Sequence, residues 1–162
     1  MNSLLLQIAI FFGAGKSPKA PGTVGTLATI PLWFALSQLG PFVYMAVTFL
    51  LVFVGVAAAN AYEAISQKHD SKEIVIDEVV GFLITMTWLP VTWQSLLIGF
   101  VVFRFLDIVK PPPIRQLDQK VKGGFGVMVD DIAAGIIGSI FMQLLYNHTN
   151  WLGMQISTLT PG

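Results

Sequence analysis

The sequence predicts an all-α fold: a small integral membrane helical bundle, with about five transmembrane or membrane-embedded helices plus an N-terminal interfacial helix. Three observations point there. First, 54% of the 162 residues are hydrophobic and only 11% are charged, against roughly 25% charged in a soluble domain. Mean hydropathy is +0.73, and nine acids with nine bases cannot cover the surface of a water-soluble domain this size. Second, residues 20–62 and 79–103 contain no charge. Third, if each uncharged run folds as a hairpin, all nine bases fall on one side. The composition excludes a disordered chain, which would be poor in apolar residues. Zero net charge leaves no basic field to favour nucleic acid. Without cysteine there is no disulfide, thiolate nucleophile or thiolate-held metal.

The elements follow in order, and the length fits one domain spanning residues 1–162. Residues 1–12 are apolar but too short to span. They lack the basic start of a signal peptide, so they read as an interfacial or packing helix. Gly40 and Pro41 break the first run into helices at about 23–39 and 42–59. The second hairpin comprises about 74–89 and 91–106, broken at Leu89–Pro90, and a fifth apolar segment covers about 132–146. Segments near 16 residues make ~24 Å of helix, short of the ~30 Å hydrocarbon core. Small residues (Ala57, Ala58 and Ala59; Ala133, Ala134, Gly135, Gly138 and Ser139) suit close helix packing in lipid. The positive-inside rule makes the charged side cytoplasmic.

Four polar stretches hold the chemistry. GAGKSPKAPGT, residues 13–23, is not a nucleotide-binding P-loop, since Ile10 stands where that motif needs glycine. Gly22 and Thr23 there open a helix whose backbone N–H groups suit a phosphate, or simply an ordinary capped terminus. IVIDEVVG, residues 74–81, places Asp77 and Glu78 among apolar neighbours. Carboxylates at the edge of hydrocarbon are expensive and usually mark function. Adjacent helical side chains diverge by ~100°, so both reach one ligand only if the backbone departs from helix. In FRFLDIVKPPPIRQLD, residues 103–118, Arg104, Asp107 and Lys110 recur every three residues before prolines that stop the helix. Asp107 near a helix C-terminus opposes the dipole and calls for a cation, either Arg104 or a metal. KGGFGVMVDDIAAG, residues 122–135, reads as a flexible glycine loop leading through Asp130 and Asp131 into the last helix.

Five carboxylates (Asp77, Glu78, Asp107, Asp130 and Asp131) thus gather at one boundary. Their mutual repulsion is relieved by a hard divalent cation. Oxygen ligands without cysteine favour Mg2+ or Mn2+ over zinc. Arg104, Lys110 and Lys16 or Lys19 are candidates for phosphate charge. His69 and His148 lie outside this cluster, and His69 reads as a loop residue. A transporter or channel using the cytoplasmic-side carboxylate cluster is the alternative, although transport sites tend to lie at the bilayer midplane. A non-enzymatic assembly protein would explain the packing surfaces but not the acids.

The blocks GAGKSPKAPGTVG, IVIDEVVGF, FRFLDIVKPPPIRQLD and GGFGVMVDDIAAG resemble, in order and spacing, the signature blocks of the phosphatidylglycerophosphatase A family. The resemblance runs from about residue 12 to 140. Matching positions include Ser17, Gly22 and Thr23 in the first block and Asp77, Glu78 and Gly81 in the second. Arg104, Asp107, Lys110 and Asp118 match in the third, and Gly124, Asp130, Asp131 and Gly135 in the fourth. The resemblance implies a multi-pass enzyme of the bacterial inner membrane that needs Mg2+ and hydrolyses phosphatidylglycerophosphate to phosphatidylglycerol and phosphate. Its expected site has Asp77, Glu78, Asp107, Asp130 and Asp131 as catalytic and metal-holding residues. Ser17, Gly22, Thr23, Arg104 and Lys110 would bind substrate.

Overall fold

A computed structural model describes residues 3–67 and 71–153; His69 lies outside them. The described residues form eight α-helices and no strand. They are α1 (Ser3–Ala9), α2 (Pro21–Ala28), α3 (Ile30–Ser37), α4 (Pro41–Ser66), α5 (Ile76–Thr85), α6 (Trp93–Val109), α7 (Ile114–Lys120) and α8 (Gly123–His148), with a 3-10 segment at Phe11–Lys16. The all-α expectation holds. Two helices, α4 and α8, are long and apolar enough to cross a membrane. At 26 residues each, they extend ~39 Å.

The outer surface is apolar. Phe49, Leu50 and Phe53 on α4, Leu97, Val101 and Phe105 on α6, and Ile140, Phe141 and Leu144 on α8 are all exposed. An apolar skin this extensive is unfavourable in water and natural in lipid. Inside, Val79, Val80, Phe82 and Leu83 of α5 are fully buried, with Phe103, Met128 and Met142 packed around them. The short α5 is therefore the axis of the bundle.

Its neighbours are fixed by groups that meet at each level. The Tyr44 hydroxyl, near the start of α4, donates to the Leu83 carbonyl at 2.6 Å. Gly55, further along α4, lies against Ile76 at the start of α5. The two helices are antiparallel. On α6, Gly99 abuts Met86 while Phe103 abuts Gly81, so this helix also opposes α5. Gly135 and Gly138 of α8 meet Gly81 and Thr85 in turn, so α8 runs parallel to α5. At the far end the Thr92 hydroxyl donates to the Leu152 carbonyl at 2.6 Å. The ends of α4 and α6 and the starts of α2, α5 and α8 gather at the opposite, polar end.

Several boundaries depart from the sequence expectation, each for a local reason. The expected helix at 23–39 is split into α2 and α3 around Thr29. Pro31 lacks an N–H, and its ring crowds the carbonyl four residues back. The Thr26 and Thr29 hydroxyls bond back to the Gly22 and Gly25 carbonyls, both at 2.9 Å. The helix expected at 42–59 continues to Ser66, and the one expected at 74–89 covers only Ile76–Thr85. Thr92 caps α6 by accepting from the Ser95 N–H at 3.1 Å. The largest correction is α8, which begins at Gly123 instead of near 132. The glycine stretch is helix, not a flexible loop, and Asp130 and Asp131 lie two turns inside it. Glycine costs about 1 kcal/mol relative to alanine in a helix, but here it allows contact. A Cβ on Gly124 would stand 2.5 Å from the Val56 carbonyl oxygen. The Asn60 side chain then accepts from the Gly124 N–H at 2.7 Å. Helix α7 was not expected. The N-terminal residues are a packing element: Ala9 and Ile10 are buried, and the Ala9 carbonyl accepts from the Val75 N–H at 2.9 Å.

Candidate active site

A cavity of about 330 Å³ opens at the polar end. Its walls come from four places: the start of α2 (Ala20, Pro21, Gly22), the first turn of α5 (Asp77, Glu78), the end of α6 (Arg104, Asp107, Ile108, Lys110) and the second turn of α8 (Asp130, Asp131). Ser71, Lys72 and Ile74 complete the wall before α5. Stretches more than a hundred residues apart, from Ala20 to Asp131, therefore meet in one pocket.

Asp77, Glu78 and Asp131 form its acidic centre. One carboxylate oxygen from each lies within 4.8 Å of the others. Asp77 and Glu78 reach together although they are neighbours in a helix, a departure from the expectation of diverging side chains. They occupy the first turn of α5, and glutamate has one more methylene with which to turn toward its neighbour. Asp131 is buried and projects from α8 where that helix crosses α5. Asp77 Oδ1, Glu78 Oε2 and Asp131 Oδ2 are buried without a hydrogen-bond partner. Three carboxylates so close repel one another, and each buried oxygen has lost its water.

The other two acids are paired with cations. Arg104 contacts Asp107 one turn along α6 and lies 3.8 Å from Glu78. Lys110 Nζ sits 2.6 Å from Asp130 Oδ2. Arg104 thus supplies a cation beside Asp107 near the end of its helix. Lys110 caps α6 in the left-handed region, with φ of 47°, which turns its side chain across toward α8. Arg104 Nε is buried and unpartnered, so the guanidinium retains an unused donor.

The start of α2 is packed tightly on this centre. A Cβ on Gly22 would stand 2.1 Å from Glu78 Oε1 and 3.1 Å from an Arg104 terminal nitrogen. Thr23 and Ser17 are close in sequence but do not line the cavity; the Ser17 hydroxyl donates to the Lys19 carbonyl at 2.9 Å. Ser71 and Lys72 line it and were missed by the sequence reading. They lie in a turn closed by the Ile74 N–H donating to the Ser71 carbonyl at 2.8 Å. No motif marks that turn; only its adjacency to Asp77 could have suggested it.

Can these residues hold a metal? The donor set is all carboxylate oxygen, its members lie close enough to share one ion, and three of its oxygens lack any partner. That chemistry fits a hard divalent cation.

Fold and pocket together define a class: a helical membrane protein with an acid-lined pocket, flanked by cations, at one end of an apolar bundle. The chain belongs to the phosphatidylglycerophosphatase A family, whose model matches residues 7–146. It is 42% identical over 142 residues to the phosphatidylglycerophosphatase A of Escherichia coli (strain K12), covering 87% of this chain and 83% of that protein. It is likewise 42% identical over 135 residues to the phosphatidylglycerophosphatase A of Haemophilus influenzae, covering 82% and 83%. A relative in Bacteroides thetaiotaomicron, provisionally named a phosphatidylinositol-3-phosphatase, is 40% identical over 149 residues, covering 87% and 92%. No solved structure matches the chain. By family, the chain is a phosphatase.

Proposed function

We propose that this protein hydrolyses phosphatidylglycerophosphate to phosphatidylglycerol and inorganic phosphate, a step of phospholipid biosynthesis, using Mg2+ at the cytoplasmic side of the bacterial inner membrane. The observation that carries the reading is the convergence of three unpartnered carboxylate oxygens, from Asp77, Glu78 and Asp131, in a pocket that also holds Arg104 and Lys110. The family supports the reaction, and the names of two relatives give the substrate.

Asp77, Glu78 and Asp131 would hold the cation, with Asp107 and Asp130 supporting it from their ion pairs. When bound, Mg2+ supplies Lewis-acid chemistry that draws charge from phosphoryl oxygens. Arg104 and Lys110 stabilise negative charge growing on the transferring group. The Gly22 N–H at the start of α2 offers a further donor to phosphate from the cavity wall. One carboxylate of the centre takes a proton from the attacking water as its oxygen bonds to phosphorus. The bond from phosphorus to the glycerol oxygen breaks, and that oxygen leaves to be protonated.

The test is phosphate release from phosphatidylglycerophosphate in mixed micelles. Release should require Mg2+, cease with a chelator and return when Mg2+ is restored. Asp77→Asn and Asp131→Asn should each lower kcat by about 100-fold or more, the scale of removing a group that stabilises the transition state. Near-full activity in both variants would eliminate the metal site. Faster turnover of phosphatidylinositol 3-phosphate would eliminate the assigned substrate.

A further inference from the structure

One wall residue of the cavity is out of character. Ile108 is 68% exposed, although it sits between Asp107 and Lys110 among the cavity's polar side chains. The other large aliphatic in the wall, Ile74, is buried. Ile108 also ends a stripe along α6. Leu97, Val101 and Phe105 precede it at helical spacing, each more than half exposed, so they share one face. From residue 97 to 108 the stripe rises ~16 Å, about half of the ~30 Å hydrocarbon core and therefore one leaflet deep. No other described helix covers it.

A lipid in that leaflet has its chains level with the stripe and its headgroup level with the carboxylates. We propose that the substrate lipid enters the cavity sideways from the leaflet, its acyl chains lying along Leu97, Val101 and Phe105 and Ile108 touching the junction of chain and headgroup. This rests on the lipid-phosphatase reading above and adds the route of entry and the residue that favours acylated over bare headgroup.

The experiment compares kcat/KM for dipalmitoyl phosphatidylglycerophosphate in micelles with that for its water-soluble, deacylated headgroup. Ile108→Asn should reduce the ratio of the two by about five- to tenfold, the effect of losing part of one side chain's apolar contact. Ile108→Met should keep it. Ile140→Asn, an equally lipid-facing change on α8 outside the cavity, should also keep it. The inference fails if Ile108→Asn leaves the ratio at the wild-type value, if it lowers both activities equally, or if Ile140→Asn shifts the ratio as far. Absence of phosphate release by the wild-type protein from either substrate would instead overturn the phosphatase reading, and this inference with it.

Discussion

At Gly22 a single hydrogen atom stands where any other residue would put a carbon against Glu78 and Arg104. The obstruction involves two side chains of the centre, so Gly22→Ala should displace them rather than unfold the protein. The expected outcome is a fall in kcat/KM of at least about tenfold, the scale of misplacing a catalytic group by an ångström, with helical circular dichroism unchanged. Much of this centre was legible at residue resolution. Five acids, Arg104 and Lys110 stood out because charge beside an apolar run is costly enough to need a reason. The Arg104–Asp107 pair was legible, since the two lie three residues apart on α6. That Lys110 answers Asp130 was not, because it depends on how α6 and α8 cross, and no local pattern encodes a crossing. Lys72 was missed for the same reason, since a lone lysine in a short turn looks like solvated surface until the fold brings it to the cavity wall.

Helix contacts set the geometry of the site. Where α5 and α8 cross, a Cβ on Gly135 would stand 2.5 Å from the Gly81 carbonyl oxygen and 3.0 Å from the Ile84 Cβ. Backbone cannot yield as a flexible side chain can. Gly135→Ala should therefore separate the two helices and cost about 1–3 kcal/mol, as overpacking does. Asp131 lies one turn away on α8, so activity should fall along with thermal stability; Ala134, already an alanine and buried, marks a neighbouring position where a methyl is accommodated. The sequence revealed the turns at Gly40–Pro41 and Leu89–Pro90 because proline and glycine punctuate locally. It misled at the start of α8, where three glycines within four residues imitate a loop. Their helical state follows from contact with Val56 and Asn60, which lie elsewhere along the chain. The break between α2 and α3 was, by contrast, available from Pro31 alone.

Over the whole molecule, the antiparallel run of α4, α5 and α6 puts the acidic cavity and the far-end Thr92–Leu152 contact at opposite poles. A chain without cysteine allows this to be tested directly. Cysteine placed at Lys120, exposed beside the cavity pole, should react with a membrane-impermeant maleimide only in inside-out vesicles. Cysteine at Asn150, exposed beyond α8, should react only in right-side-out ones. The opposite pattern would place the cavity on the outer side. The buried acids of α8 also bear on how the chain is made. Aspartate at the centre of an apolar helix costs about 2.5–3.5 kcal/mol during translocon-mediated insertion, and less toward an end. Carrying Asp130 and Asp131, α8 is a reluctant passenger on its own. Its partners are synthesised first: Lys110 precedes Asp130 by twenty residues, and α4 and α5 are complete before α8 emerges. Insertion of α8 as a span would thus draw on the earlier helices offering it a place.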